Sequence, residues 1–127
     1  MASSTTCTKD KKISSKQKTF IRTSLRRLGV NPKHNGFIIL QKAIIYAYEH
    51  DMITINLYEI YKYLAKEYEK SFKTIESLLV YTFYKINIKK LSTNYEIIFG
   101  FEYSIEYFNI RSLISDFVDS LDDIESL

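Results

Sequence analysis

Lys18, Arg22 and Arg26 fall at i, i+4 and i+8, the spacing that lines side chains along one face of a helix. Three cations spread over about 12 Å of helix can hold phosphate oxygens, and an ordinary solvated helix face is the plain alternative. No other residue group in the chain answers to chemistry as directly. The two histidines, His34 and His50, and the single cysteine, Cys7, lie in different segments, and the three glycines never gather into a phosphate-cradling loop. Asp116 and Asp119 show only the spacing of a polar helix face. No catalytic, metal or cofactor site is expected, and the chain reads as a binding protein rather than an enzyme.

Charge is unevenly shared along the chain. Residues 1–36 hold nine Lys or Arg against Asp10 alone, a balance of +8, whereas residues 37–127 hold nine basic against fourteen acidic side chains, a balance of −5. The net +3 therefore hides a dipole, and a basic end of this kind is the footprint of a polyanion binder. No apolar run approaches the roughly 18 residues that cross a bilayer, since Lys42 interrupts the longest. The polar start does not resemble a signal peptide. Cys7 has no second thiol with which to pair. A cytoplasmic protein with an incidental thiol is expected, with no membrane and no small-molecule substrate among its partners. The wealth of Ile, Lys, Asn, Tyr and Phe suits an AT-rich genome.

The elements that must position the basic residues are mostly helical. Residues 1–15, rich in Ser, Thr and Lys without an apolar period, read as a flexible basic arm. Residues 16–28 form a helix with Ile21, Leu25 and Leu28 inside, ended by Gly29. The loop 31–36 is a turn by composition, and His34 in it is expected to be a hydrogen-bonding surface residue. Residues 37–50 are apolar nearly all round, which places that helix in the middle, and the macrodipole accounts for His50 at its end.

Residues 56–88 are the best-defined stretch. Leu57, Ile60, Tyr61, Leu64, Ala65 and Tyr68 make the stripe of a helix with one buried face, and Asn56 with Glu59 reads as a capping box. After the break at Glu69, Lys70 and Ser71, a longer helix turns Ile75, Leu79, Thr82 and Ile86 inward. Helix, short turn and helix is the outline of a helix-turn-helix, and equally of any tight structural hairpin.

Two readings fit residues 87–107. Phe101, Tyr103, Ile105 and Tyr107 alternate with polar residues, which predicts a strand and, with 87–99, the β-hairpin of a winged helix-turn-helix. Alternatively Asn94 caps a short helix ending at Gly100, leaving 101–107 as an extended link. Beyond it, Asn109 caps a last helix with Leu113, Ile114, Phe117, Val118 and Leu121 inside and Asp116 and Asp119 outside. Residues 122–127 form a frayed acidic tail, which would point away from DNA. The expected fold is therefore all-α, a compact helix-turn-helix domain over residues 16–121, with the winged form as the alternative.

Several fragments in order resemble the C-terminal effector domain of the stage zero sporulation response regulator of endospore-forming bacteria. They are Leu28-Gly29-Val30, Gly36-Phe37 with Leu40 and Ala43-Ile44, Tyr61 with Leu64-Ala65-Lys66 and Tyr68, Glu76, and Phe99-Gly100-Phe101 with Ser104. The resemblance spans about residues 20–121. It implies an all-helical domain whose third and fourth long helices enter the major groove of DNA, without the receiver domain and its control by phosphorylation. The family's reading helix carries several arginines and a histidine. Here the matching face is Lys73, Thr74, Ser77, Val80, Tyr81 and Tyr84, so the bidentate guanidinium contact to guanine, about 1–3 kcal/mol per pair, has no donor on it.

The residues expected to meet duplex DNA are thus Lys18, Arg22, Arg26, Arg27 and Lys33 in the basic third, Ser71, Lys73, Thr74, Ser77, Tyr81 and Tyr84 on the second helix of the pair, and Lys89 and Lys90 beyond it. Much of the affinity is expected from the basic N-terminal third, with the 87–107 region as a further source. A homodimer is expected too, because readers of palindromic or tandem sites usually pair. The competing expectation is a protein-interaction module that keeps the frame and has lost its reader, with Val80, Tyr81, Tyr84 and Ile88 as an exposed strip.

Overall fold

The computed structural model describes residues 11–126, with side chains as far as Ile124. They form six helices and no strand: α1 (Ser15–Arg27), α2 (Asn35–Glu49), α3 (Leu57–Glu67), α4 (Phe72–Tyr84), α5 (Ile88–Phe99) and α6 (Ile110–Ser126). The all-α expectation holds. The wing does not form, because Asn87 starts a helix where a strand was needed.

Five of the six helices are started by a short polar side chain, and α2, with His34 at its N-cap, has no side-chain cap bond. Ser14 and Gln17 cap α1 reciprocally: Ser14 Oγ accepts from the Gln17 N–H at 3.1 Å, and Gln17 Oε1 from the Ser14 N–H at 2.9 Å. Asn56, Ser71 and Asn87 accept from the third residue of α3, α4 and α5. The capping box read at Asn56 is only half made, since the Glu59 carboxylate accepts instead from Tyr46 Oη on α2 at 3.0 Å. Asn109 and Ser112 cap α6 reciprocally at 2.9 Å.

Four of the helices, α1, α2, α3 and α5, stop at left-handed residues. Gly29 (φ +96°) ends α1, with Val30 N–H donating to Leu25 O at 3.0 Å in a Schellman closure. Asp51 (φ 52°) after α2 and Glu69 (φ 53°) after α3 do the same without glycine, each at a backbone cost of about 1–2 kcal/mol. Gly100 (φ +86°) ends α5.

α2 is the axis of the fold and packs against α1, α3, α4 and α6. Ile39, Leu40, Ala43, Ile44 and Ala47 are buried on it, and Ile38 faces out. Phe117 of α6 is fully buried, with Phe20 edge-on at 6.0 Å and Phe99 at 5.0 Å. The one fully buried polar side chain of α1, Gln17, donates from Nε2 to Tyr48 Oη at 3.0 Å and Leu121 O at 2.8 Å. It thereby ties α1 to α2 and α6.

Several sequence expectations give way here. Residues 1–10 of the arm lie outside the described residues. The rest of it is docked: Lys11 N–H donates to Glu49 O at 3.2 Å, its Nζ pairs with Asp51 at 3.0 Å and Asp122 at 3.4 Å, and Ile13 packs on the core. The acidic tail is helix as far as Ser126, because α6 continues through it. The helix expected to run to Ile88 stops at Tyr84, and Ile88 opens α5. Asn94 sits inside α5 and caps nothing; its Nδ2 donates to Arg27 O at 2.8 Å. Asp116 is half-buried rather than outside and accepts from Tyr95 Oη. His34 opens α2 and is partly exposed, but its Nδ1 is buried without a hydrogen-bond partner, unlike the hydrogen-bonding surface residue expected there.

Candidate nucleic-acid interface

α3 and α4 are joined by residues 68–71. Within that link Glu69 takes the left-handed conformation that reverses the chain, and Lys70 N–H donates to Ala65 O at 2.9 Å. Burial pushes the Tyr61 phenol up, with the Glu76 carboxylate of α4 adding to the shift and Arg111 opposing it. α4 is fixed from the other side by α2, where Gly36 lies directly against Thr82 and Leu78 O. Ile75, Leu79 and Thr82 are buried by this sandwich.

The outer face of α4 is left to solvent. Lys73, Thr74, Ser77, Val80, Tyr81 and Tyr84 are all exposed. Ser71 is exposed too, but its hydroxyl is engaged as the N-cap: it accepts from Thr74 N–H at 3.0 Å and donates to Thr74 Oγ1 at 2.8 Å. Glu76 is the acid on this side of the helix, flanking Ser77, Val80 and Tyr81.

A second group of cations gathers where α1 ends and α5 begins. Asn87 N–H donates to Gly29 O at 3.1 Å, and a Cβ on Gly29 would fall 2.8 Å from Asn87 O. Glycine is required there for its positive φ and for this close approach. The clip, together with the Asn94 to Arg27 bond, brings Arg26, Arg27 and Lys90 to one edge. Two shallow open grooves meet at that edge, and Arg26 and Lys90 line both. Neither groove has an Asp or Glu among its lining residues.

No family model matches the sequence, and neither a curated protein nor a solved structure is significantly similar to it.

Lys85, missed in the sequence, connects the two groups. It lines the second groove, and its Nζ stands over the Tyr81 ring, 5.6 Å from the centroid. Ser77, Tyr81 and Lys85 run at i, i+4 and i+8, the same signal that marked Lys18, Arg22 and Arg26, so it was legible. Lys18 and Arg22 are exposed on α1 as expected, though neither lines these grooves. Lys33 and Lys89 are exposed nearby in sequence and outside both lining sets. Lys11, by contrast, is engaged with two carboxylates.

The cations at this edge have different standing. Arg26 and Arg27 occupy the last turn of α1, where the helix dipole favours positive charge and structure alone accounts for them. Lys89 and Lys90 occupy the first turn of α5, which has no acid. There the dipole disfavours each cation by about 0.3–1 kcal/mol, and an anion at that terminus would reverse the sign. Among the described residues no group of His, Cys, Asp or Glu could hold a metal, and no helix is long and apolar enough to cross a membrane.

Proposed function

We propose that this chain is a small duplex-DNA-binding protein in which α3 and α4 are a helix-turn-helix and α4 is the helix presented to the major groove. The observation that carries the reading is continuity. The exposed row Ser77, Tyr81, Lys85 runs off the end of α4 into the acid-free grooves lined by Arg26 and Lys90. Phosphates held by Arg26, Lys85 and Lys90 would supply sequence-independent affinity. Lys73, Thr74 and Ser77, on the first turns of α4, would meet base edges. The resemblance to the sporulation effector domain supports the same assignment of helices. The missing arginines make the discrimination of guanine weak.

A cytoplasmic transcription regulator or a protein that marks a site on mobile DNA fits this chemistry, acting as a homodimer on paired half-sites. The test is anisotropy of a labelled duplex at several salt concentrations, followed by selection of bound duplexes from a random pool. Binding should fall steeply with salt, and duplex affinity that ignores salt would sink the proposal.

A second reading has its own support. Val80, Tyr81 and Tyr84 are 58%, 51% and 83% exposed, an apolar and aromatic strip of interface type. Replacing Tyr81 and Tyr84 by serine separates the two. Loss of self-association by a protein whose wild type retains no duplex favours the interaction module, and loss of DNA retention favours the reader.

A further inference from the structure

A carboxylate without a cation lines an aromatic pocket between α5, α6 and the 101–109 link. Tyr95, buried on α5, donates its phenol O–H to Asp116 Oδ2 on α6. Among the described residues Asp116 Oδ1 has no hydrogen-bond partner, and no Lys or Arg pairs with this side chain. Glu102 is a second acid in the pocket lining, which contains no basic residue.

The walls are rings set at angles to one another. Phe101, Tyr103 and Phe108 have centroids 5.9, 5.8 and 5.8 Å from that of Tyr95, at interplanar angles of 71°, 58° and 89°. Tyr103 and Phe108 are 5.5 Å apart at 62°. These tilted rings, with Phe108 also stacked on Phe83 at 4.8 Å and 13°, border a half-open cavity of about 250 Å³. That is smaller than the ~300–1,000 Å³ of sites for drug-sized ligands, so the occupant is a small group. Aromatic faces attract a cation within about 6 Å of their centroids and repel an anion.

We propose that this pocket binds the quaternary or alkylated ammonium head group of a small molecule, with Phe101, Tyr103 and Phe108 as walls and Asp116 as the counter-charge. A neutral apolar guest would use the rings and leave the Asp116 charge without a counter-ion. Burial holds the Asp116 carboxyl above the usual carboxylate range, the Tyr95 hydroxyl opposing this and Asp119 adding to it. The pocket is formed by other residues than the α4 face and the basic edge, so this inference stands apart from the DNA reading.

The test uses the whole chain and tyrosine-ring proton resonances. Tetramethylammonium chloride should give saturable shifts, and choline should compete for the same site. Sodium chloride at equal ionic strength and the neutral isostere tert-butanol should not. Phe101→Ala removes a half-exposed wall, and Asp116→Asn removes the charge while leaving an oxygen that can accept from Tyr95. Each should weaken tetramethylammonium by about three- to tenfold or more, with near-ultraviolet dichroism confirming that the variants are folded. Should Asp116→Asn fail to fold, Phe101→Ala decides alone. Equal binding of tert-butanol, the absence of saturable shifts, or unchanged affinity in the folded variants would overturn the proposal.

Discussion

Gly36 of α2 faces Thr82 of α4 so closely that a Cβ at position 36 would fall 1.7 Å from Thr82 Oγ1 and 2.8 Å from Thr82 Cβ. The Thr82 hydroxyl is meanwhile directed back to Leu78 O at 2.8 Å. The outward aim of α4 therefore depends on the absence of one methyl group on its neighbour. Gly36→Ala should destabilise the fold by about 1–3 kcal/mol through overpacking, read by urea denaturation. In a Thr82→Ala background the same change should cost at least about 0.5 kcal/mol less, because the nearest clashing atom is gone. Strict additivity of the two changes would show that the helices do not meet there.

Gln17 holds three elements together from a fully buried position. Gln17→Ala leaves Leu121 O and the Ser14 N–H without their partners. It should cost about 1–3 kcal/mol for each buried group that water cannot reach. Ser14→Ala removes only the cap and should cost about 1 kcal/mol. Thermal unfolding of the two variants checks the order, and a larger effect at Ser14 would refute the role assigned to Gln17.

Tyr46 supplies a pH dependence. It stacks on Tyr63 at 4.2 Å and His50 at 3.9 Å, and donates to Glu59 at 3.0 Å. Burial, then the bond to Glu59 and the charge of that carboxylate, push its phenol up to about 12. The folded value lies above the ordinary value of about 10. Its contribution to stability is therefore fully present below about pH 10 and lost as pH rises through about 12. The stability difference between wild type and Tyr46→Phe should shrink across that window. Tyr61, Tyr63, Tyr68 and Tyr95 shift in the same direction, so the comparison with the phenylalanine variant is what isolates Tyr46. A constant difference from pH 9 to 12 would contradict the assignment.

The basic edge and the α1 row make separable predictions about DNA. If Arg26, Lys85 and Lys90 each neutralise a phosphate, replacing all three by glutamine should lower the slope of log affinity against log salt by about 2–3. Replacing Lys18 and Arg22, which line neither groove, should lower it by less than about 1. The reverse ranking would move the phosphate path to the exposed face of α1.

Removing residues 1–10 keeps Lys11, with its two carboxylates, and Ser14, with Gln17, in the chain, so the melting temperature of that deletion is the reference. A deletion through residue 15 should lower it by several degrees, because the α1 cap goes with it. Only the shorter deletion can report on the arm's share of DNA affinity, as fluorescence anisotropy would show. Equal melting temperatures for the two deletions would contradict the docking of residues 11–15.

The sequence made five of the six helices and most of their inner faces legible, because an apolar period near 3.6 residues is a local property that burial then enforces; α5 stayed open between a helix and a strand. Ile21, Leu25 and Leu28, or Leu113, Ile114, Phe117 and Leu121, could be placed from spacing alone. It also supplied the exposed basic and polar residues, since lysine and arginine avoid the core. Tertiary structure decided which of them share an edge. Arg26 meets Lys85 and Lys90 only because Gly29 accepts the N-cap of α5 at contact distance, and nothing within either segment encodes that approach.

Alternation of the 101–107 residues suggested a strand, but a strand needs a partner, and α5 occupies the residues that would have provided one. The aromatic side chains instead close over Tyr95 and Asp116. Glu69 carries the left-handed turn before α4 without a glycine to announce it, because the α3 and α4 packing outweighs a local cost of about 1–2 kcal/mol. Lys11 read as part of a free arm until Asp51 and Asp122, 40 and more residues away, were brought beside it. Pairings over such separations are fixed by the packing of whole helices, and a one-dimensional pattern holds no record of them.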